Sequence, residues 1–135
     1  MLALLRHWGY GGFLKHTAKA SDFYRRRRDV FVAAAQRHLL GKATWEVPTA
    51  GMFLWINLLL PSGQDSLEVL TKSAIAAGVI AVPGIAFMPS KSKTCSIRAS
   101  FSLVTEEGAE EACKRIAALV DYAFAEAANG ETAVV

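Results

Sequence analysis

The chain has 135 residues, of which 53% are hydrophobic and 20% are charged. These values are typical of one folded domain and argue against a wholly disordered protein. The longest apolar run, residues 74–83, is far shorter than the roughly 20 residues that cross a bilayer. A formal charge of +3 and an isoelectric point near 9.0 make the chain mildly basic.

Much of the basic excess comes from four consecutive arginines, Arg25 to Arg28. Four consecutive residues wrap almost completely around a helix, so the run does not form a stripe along a nucleic-acid backbone. We interpret it as mostly solvated helix surface. A nucleic-acid or nuclear-localisation patch is the less favoured alternative.

The compartment is predicted from the cysteines and from the amino-terminal residues. Cys95 and Cys113 are the two cysteines, and they form neither a CxxC motif nor a paired framework. Residues 1–5 are apolar but short and have no basic segment before them, which makes a poor signal peptide. We therefore expect a reducing, cytoplasmic compartment.

The first third of the chain is predicted to be helical. A short apolar segment, residues 2–8, is broken by Gly9, Gly11 and Gly12, and a long helix follows over residues 13–40. Apolar residues recur along it at helical spacing. Its predicted buried stripe comprises Phe23, Val30, Phe31, Ala34 and His38.

Two strands are predicted next, over residues 44–47 and 52–60. The second is apolar on nearly both faces, so it belongs inside a sheet. Asp65 and Glu68 have the spacing of a capping box and open a helix that runs to Ala77.

The remaining elements are a brief strand over residues 79–82, which Pro83 stops, a strand over residues 95–102 and a helix opened by Thr105. A frayed tail follows Asn129. The order of elements predicts an α/β sandwich in which helices pack on one small sheet. The predicted buried face of the last helix comprises Ala109, Ala112, Cys113, Ile116, Val120, Ala123 and Phe124.

Arg98 is the candidate binding residue. Strand alternation places it on one face with Ser96, Ser100 and Ser102, which are too small to cover it. A guanidinium matches a carboxylate with two parallel hydrogen bonds, which an ammonium cannot do. The alternative is an ordinary solvated strand face, and the residues by themselves favour that alternative.

Other kinds of site are not indicated. His7, His16 and His38 do not share adjacent turns of one helix face, so no metal site is expected. The glycine-rich residues 9–12 follow a helix and lack the lysine of a phosphate loop. No Ser-His-Asp, Cys-His or GxSxG pattern is present.

Three segments nevertheless resemble landmarks of the class I pyridoxal-phosphate aminotransferases, in the same order and at plausible spacing. They are PTAGMFLWI at residues 48–56, GV at 78–79 leading to PGIAF at 83–87, and IRASFS at 97–102. The resemblance is greatest to the kynurenine, α-aminoadipate and aromatic aminotransferase branch. It extends upstream to Trp8 and so covers nearly the whole chain.

This resemblance implies the C-terminal small domain of a fold-type I enzyme. Residues 1–20 are then the end of an inter-domain helical region, residues 21–129 the small domain and residues 130–135 the frayed tail. The family also implies a homodimer. No nucleic-acid or membrane partner is expected.

The resemblance also assigns substrate-binding residues. Arg98 matches the ligand of the substrate α-carboxylate, and Phe53 matches a position that lines the substrate side-chain pocket. Phe87, after the Pro-Gly turn, is a weaker candidate for the same pocket. The alternative for Phe53 is a phenylalanine of the core.

The cofactor implied by the family is pyridoxal 5′-phosphate, which forms a Schiff base with a lysine. In the family that lysine lies upstream of all the matched segments. Lys91 and Lys93 follow serines, as that lysine does, but occur in a polar loop at the wrong place. We therefore expect no catalytic, cofactor-binding or metal-binding residue in this chain, which alone is expected to be inactive.

Two functions follow as hypotheses. In the first, these residues belong to an aminotransferase that moves an amino group from an aromatic or α-aminoadipate-like amino acid to 2-oxoglutarate, and the chain is a fragment of it. In the second, the chain is a non-catalytic module that binds a carboxylate ligand or pairs with a complete aminotransferase subunit.

Overall fold

A computed structural model describes residues 1–131, which form three α-helices and one four-stranded sheet. The predicted α/β class and the predicted order of elements are confirmed. None of the described helices combines the length and the apolar composition that a membrane span needs. The elements are α1 (Leu2–His38), β1 (Ala43–Trp45), β2 (Phe53–Leu58), α2 (Ser66–Ala77), β3 (Val82–Pro83), a 3₁₀ turn (Gly84–Phe87), β4 (Ser96–Ser100) and α3 (Glu106–Glu131).

The sheet has the order β1-β2-β4-β3, and each neighbouring pair is antiparallel. The prediction that β2 lies inside the sheet is therefore confirmed. Its side chains alternate in burial, with Leu54, Ile56 and Leu58 at 1% exposure or less. These residues join Ile97 of β4 in the core, where they pack with the buried faces of the helices.

The opposite side of β2 and β4 presents exposed and half-buried side chains. We call it the open face. Its members on the two central strands are Phe53, Trp55, Asn57, Ser96, Arg98 and Ser100. Only one of the two apolar sides of β2 is therefore buried in the core.

Helix α1 runs through the predicted break. Gly9 is kinked, with φ 60° and ψ −176°, whereas Gly11 and Gly12 remain helical. The prediction of a break is right at Gly9 and wrong at the other two positions. The glycine-rich segment is consequently part of a helix and not a loop.

The buried stripe of α1 lies further along the helix than predicted. Phe31 and Ala34 are buried as expected, but Phe23 is 46% exposed. No residue among 1–30 is buried, because α1 meets the core only in its last two to three turns. The ring of Phe23 instead lies 4.7 Å from the guanidinium carbon of Arg27.

Half of the arginine run connects elements instead of facing solvent. Arg27 Nη1 donates to the carbonyl oxygen of Val104 at 2.6 Å, and Arg28 Nη1 donates to that of Pro48 at 3.1 Å. The prediction of solvated surface holds for Arg25 and Arg26, which are exposed. The other two arginines anchor the loops that precede α3 and β2.

Helix capping agrees largely with the sequence pattern. Asp65 accepts a hydrogen bond from the Glu68 amide at 2.9 Å, and this bond is the main reason that the pKa of Asp65 is lowered. In a full capping box the Glu68 carboxylate would also accept a hydrogen bond from the Asp65 amide. Here it accepts one from Lys72 instead. Thr105 caps α3 by accepting from the Gly108 amide at 3.1 Å.

The buried face of α3 was predicted correctly in part. Phe124 is 51% exposed and Ala112 is half-buried, whereas Ala117 and Leu119, which were not predicted, are buried. Helix α3 continues through Glu131. The rest of the predicted frayed tail, residues 132–135, lies outside the described residues.

A close contact fixes the 3₁₀ turn against the start of β4. A Cβ atom on Gly84 would lie 2.8 Å from the carbonyl oxygen of Ser96 and 2.8 Å from Cγ2 of Thr94. No larger residue fits without moving the turn. Glycine at this position therefore sets where the end of the turn, Phe87, is held.

Replacing Gly84 with alanine tests this contact. We expect Gly84→Ala to lower the free energy of unfolding by about 1–3 kcal/mol through overpacking. The matched control is Gly11→Ala, where a Cβ meets nothing within 4 Å; in a helix it should raise stability by about 0.5–1 kcal/mol. Urea unfolding measures both, and wild-type stability for Gly84→Ala would contradict the contact.

The dependence of stability on pH, in the acidic range, tests the ion pairs that link α1 to α3. Glu110 Oε1 accepts from Arg37 Nε at 2.8 Å, and His38 Nε2 lies 2.6 Å from Glu110 Oε2. The Arg37 hydrogen bond, followed by that of His38, lowers the pKa of Glu110 from 4.5 to about 2. Because the folded pKa is the lower one, this stabilisation is present above pH 4.5 and is lost as the pH falls toward about 2.

We expect thermal unfolding between these pH values to show a steeper loss of stability in the wild type than in Glu110→Gln. Equal pH slopes for the two proteins would show that the link contributes nothing.

Candidate carboxylate-binding site

The register of the two central strands brings the predicted site residues together. Trp55 of β2 pairs directly with Arg98 of β4, and Phe53 pairs with Ser100. Successive side chains alternate between faces, so Phe53, Trp55 and Arg98 all project from the open face.

Phe87 reaches the open face from the 3₁₀ turn, not from a central strand. Strand β3 pairs with β4 on the side away from β2, with Val82 opposite Arg98. The 3₁₀ turn that follows β3, pressed onto β4 at Gly84, then brings Phe87 back over the open face.

The guanidinium of Arg98 lies over two aromatic rings. Its central carbon is 4.2 Å from the ring centre of Phe53 and 4.3 Å from that of Phe87. Trp55 packs edge-to-face on Phe87, with ring centres 5.2 Å apart and ring planes at 83°. The first two contacts are favourable cation–π interactions and the third is a favourable aromatic pair. We call Phe53, Trp55 and Phe87 the aromatic cluster.

The edges of the same guanidinium remain free. Within residues 1–131, Arg98 donates no hydrogen bond and forms no ion pair. The N–H groups of a guanidinium lie in its plane, whereas rings stack above and below that plane. Phe53 and Phe87 therefore hold Arg98 by cation–π contacts, which leave its forked donors available to a planar anion.

A cavity of about 540 Å³ opens along the open face beside Phe53 and Trp55. At its floor, Ser96 Oγ donates to Asn57 Oδ1 at 3.3 Å. The cavity thus joins an aromatic wall to a neutral polar pair. Its lining residues are Thr44, Trp45, Glu46, Pro48, Phe53, Trp55, Asn57 and Ser96.

The structure brings Arg98, Phe53 and Phe87 into one cluster, although their roles remain predictions. Phe53 is 38% exposed, so the alternative of a core phenylalanine is wrong. Trp55 was not singled out from the sequence, even though it lies inside the matched segment. Its position two residues after Phe53 on one strand is the signal that would have found it.

Other reactive groups lie away from the aromatic cluster. Lys93 is on an exposed loop, with Nζ 3.5 Å from Asp65, and Lys91 is exposed on the same loop. Burial raises the pKa of the Cys113 thiol to about 12, which keeps it protonated. No group of three or more metal-ligating side chains occurs in the part of the chain that the structure describes.

Comparisons with known proteins were made by sequence and by fold. No protein-family model matches the chain. The chain is 62% identical over 120 residues to aminotransferase tdiD of Emericella nidulans, and 42% identical over 121 residues to the mitochondrial kynurenine/alpha-aminoadipate aminotransferase of Mus musculus. Each match covers 89% of this chain and 28% of the relative, so the chain spans less than a third of these relatives.

Solved structures give the same result. The multiple substrate aminotransferase of Thermococcus profundus matches with a TM-score of 0.77 and 31% identity, over 88% of this chain and 29% of its own. The kynurenine aminotransferase of Pyrococcus horikoshii matches with a TM-score of 0.74 and 34% identity, over 85% of this chain and 28% of its own. By sequence and by fold, the chain is thus similar to the C-terminal part of the fold-type I pyridoxal-phosphate aminotransferases, in the group that includes the kynurenine, α-aminoadipate and aromatic enzymes.

Proposed function

We propose that this chain is the substrate-carboxylate-binding part of an aminotransferase. The reaction is transfer of an amino group from an aromatic or α-aminoadipate-like amino acid to 2-oxoglutarate. The observation that carries the proposal is the geometry of Arg98, whose guanidinium contacts two aromatic rings and whose donors have no partner among the described residues.

Arg98 binds the α-carboxylate, which the amino-acid donor and the 2-oxo-acid acceptor both possess. Two parallel N–H···O bonds fix the plane of the carboxylate as well as its position. Because the rings of Phe53 and Phe87 prevent the guanidinium from turning, the bound substrate takes one orientation. The contribution of Arg98 is therefore orientation of the reacting carbon, with no proton transfer by this residue.

The substrate side chain lies against Phe53 and Phe87. Phe53 contacts Arg98 and also lines the cavity on the open face, and an aromatic or aliphatic side chain fits against its ring. Phe87 contacts the same guanidinium, with its ring centre 4.3 Å from the central carbon. An apolar side chain placed here displaces water from the carboxylate and strengthens its bonds to Arg98.

The cofactor does not fit the aromatic cluster by itself. Pyridoxal phosphate supplies the electron sink of the reaction and needs a lysine, a partner for its ring nitrogen and a cradle for its phosphate. The aromatic cluster and Arg98 include no lysine and no carboxylate, and Lys93 is paired with Asp65 on a loop. We accordingly assign these functions to a larger domain outside this chain.

The proposal extends to assembly and compartment. Pairing with a larger domain, and a homodimer as in the family, would cover the open face. Cys95 and Cys113 are both free, which supports a reducing, cytoplasmic location. The Mus musculus relative is named as mitochondrial, and this chain is not assigned to that compartment.

A hybrid enzyme tests the role of Arg98. This chain replaces the matching segment of the Emericella nidulans aminotransferase, to which it is 62% identical. We expect Arg98→Lys in the hybrid to lower kcat/KM for aromatic donors by about 10- to 100-fold, because an ammonium loses the bidentate pairing. Steady-state transamination to 2-oxoglutarate measures the effect.

The matched control is Arg26→Lys, the same substitution at an exposed arginine on α1. It should leave kcat/KM within about twofold, because surface substitutions rarely change more. Normal kinetics for Arg98→Lys would remove Arg98 from the substrate site.

A second function, a non-catalytic module that pairs with a complete subunit, is favoured by the start of α1. Tyr10 is 80% exposed and Leu2 is 61% exposed. Together with Leu5 and Phe13, Tyr10 lines a shallow apolar depression of about 320 Å³. Exposed apolar patches of this kind mark contact surfaces.

The size of the protein in its own cells separates the two functions. An antibody against α3 should detect a band much larger than 14.6 kDa if the chain works as part of an aminotransferase polypeptide. A single band at the mass of the chain itself would favour the paired module.

A further inference from the structure

We infer that Trp55 is a positioning residue, which holds Phe87 over Arg98 and so keeps the guanidinium oriented for a carboxylate. This inference rests on the proposed function, because the oriented group is the proposed carboxylate ligand. Trp55 itself is given no contact with substrate.

The three aromatic residues differ in how they are held. Phe53 and Trp55 belong to a central strand of the sheet, whose register is fixed on both sides. Phe87 instead ends a short 3₁₀ turn outside the sheet, and its side chain is 41% exposed. Its ring therefore needs a neighbour to limit its rotation.

Trp55 is placed to be that neighbour. It pairs directly with Arg98 across the two strands, and its ring meets Phe87 edge-to-face at 5.2 Å. The indole thus stands beside the guanidinium and abuts one of the two rings that cover it. Aromatic pairs in this arrangement have a preferred angle, which fixes the plane of Phe87.

The consequence concerns Arg98. With Phe87 free to rotate, the guanidinium is stacked on Phe53 alone and samples more orientations. The carboxylate then meets the two donors in the correct plane for less of the time. The loss of one ring contact corresponds to about a fivefold weaker affinity for a carboxylate.

The experiment uses the 135-residue chain labelled with ¹⁵N-arginine and followed by NMR. The Nε–H signal of Arg98 is assigned by its loss in Arg98→Lys. Ring currents from Phe53 and Phe87 should shift this signal upfield in the wild type. We expect Trp55→Leu to remove about half of this upfield shift, because one of the two rings is released, whereas Trp55→Phe, which keeps a ring against Phe87, should retain most of it.

The affinity measurement uses sodium 2-oxoglutarate as the probe. The dissociation constant read from the Arg98 signal should be about fivefold higher in Trp55→Leu and near the wild-type value in Trp55→Phe. Phe124→Leu is the matched control, because Phe124 is an aromatic residue of similar exposure on the far helix. It should change neither the shift nor the affinity.

An unchanged Arg98 signal and an unchanged dissociation constant in folded Trp55→Leu would overturn the inference. If that variant does not fold, the test is the nuclear Overhauser contact between the Trp55 and Phe87 rings in the wild type. Absence of this contact would also overturn the inference. A lost ring-current shift without any response of wild-type Arg98 to 2-oxoglutarate would support the positioning role and contradict the proposed function.

Discussion

The contact of the Arg98 guanidinium with the rings of Phe53 and Phe87 is the interaction on which the rest of the site depends. The two rings stabilise the cation by cation–π contact, and its N–H donors have no partners in the described part of the chain. A partly covered cation with free donors is a costly arrangement unless an anion completes it. Shape and electrostatics therefore both favour a planar carboxylate.

The fold creates this arrangement by leaving one side of the sheet uncovered. The core is formed on the other side, where Leu54, Ile56 and Ile97 are fully buried. Strand alternation then places Trp55 and Arg98 outward in one row. The apolar residues of β2 that do not join the core become the walls of the site, so one strand serves stability and binding at the same time.

Much of this was predictable from the sequence. Strand alternation predicted the face of Arg98, and glycine, proline and capping residues predicted the order of the elements. The resemblance to the aminotransferases added Phe53 and Phe87. What failed was prediction of burial along the helices: Phe23 and Phe124 are apolar and fit the helical spacing, yet both are exposed because neither reaches the sheet. Helical period alone does not say where a helix meets its neighbours.

The aromatic cluster itself was not predictable from spacing. Phe87 reaches Arg98 through a turn whose path depends on the close approach of Gly84 to Ser96, a contact between distant parts of the chain. Likewise, two arginines of a run that reads as solvated surface bind the carbonyl groups of Pro48 and Val104. Both are tertiary contacts, and local sequence patterns carry little information about them.

The most direct test of the account is a crystal structure of an assembled enzyme containing this chain, grown with an aromatic 2-oxo acid. The account predicts both carboxylate oxygens about 2.7–2.9 Å from two edge nitrogens of Arg98, in the plane of the guanidinium. It also predicts that the rings of Phe53 and Phe87 keep their contacts with the guanidinium. A carboxylate bound by another cation, with Arg98 still in contact only with solvent and the two rings, would contradict it.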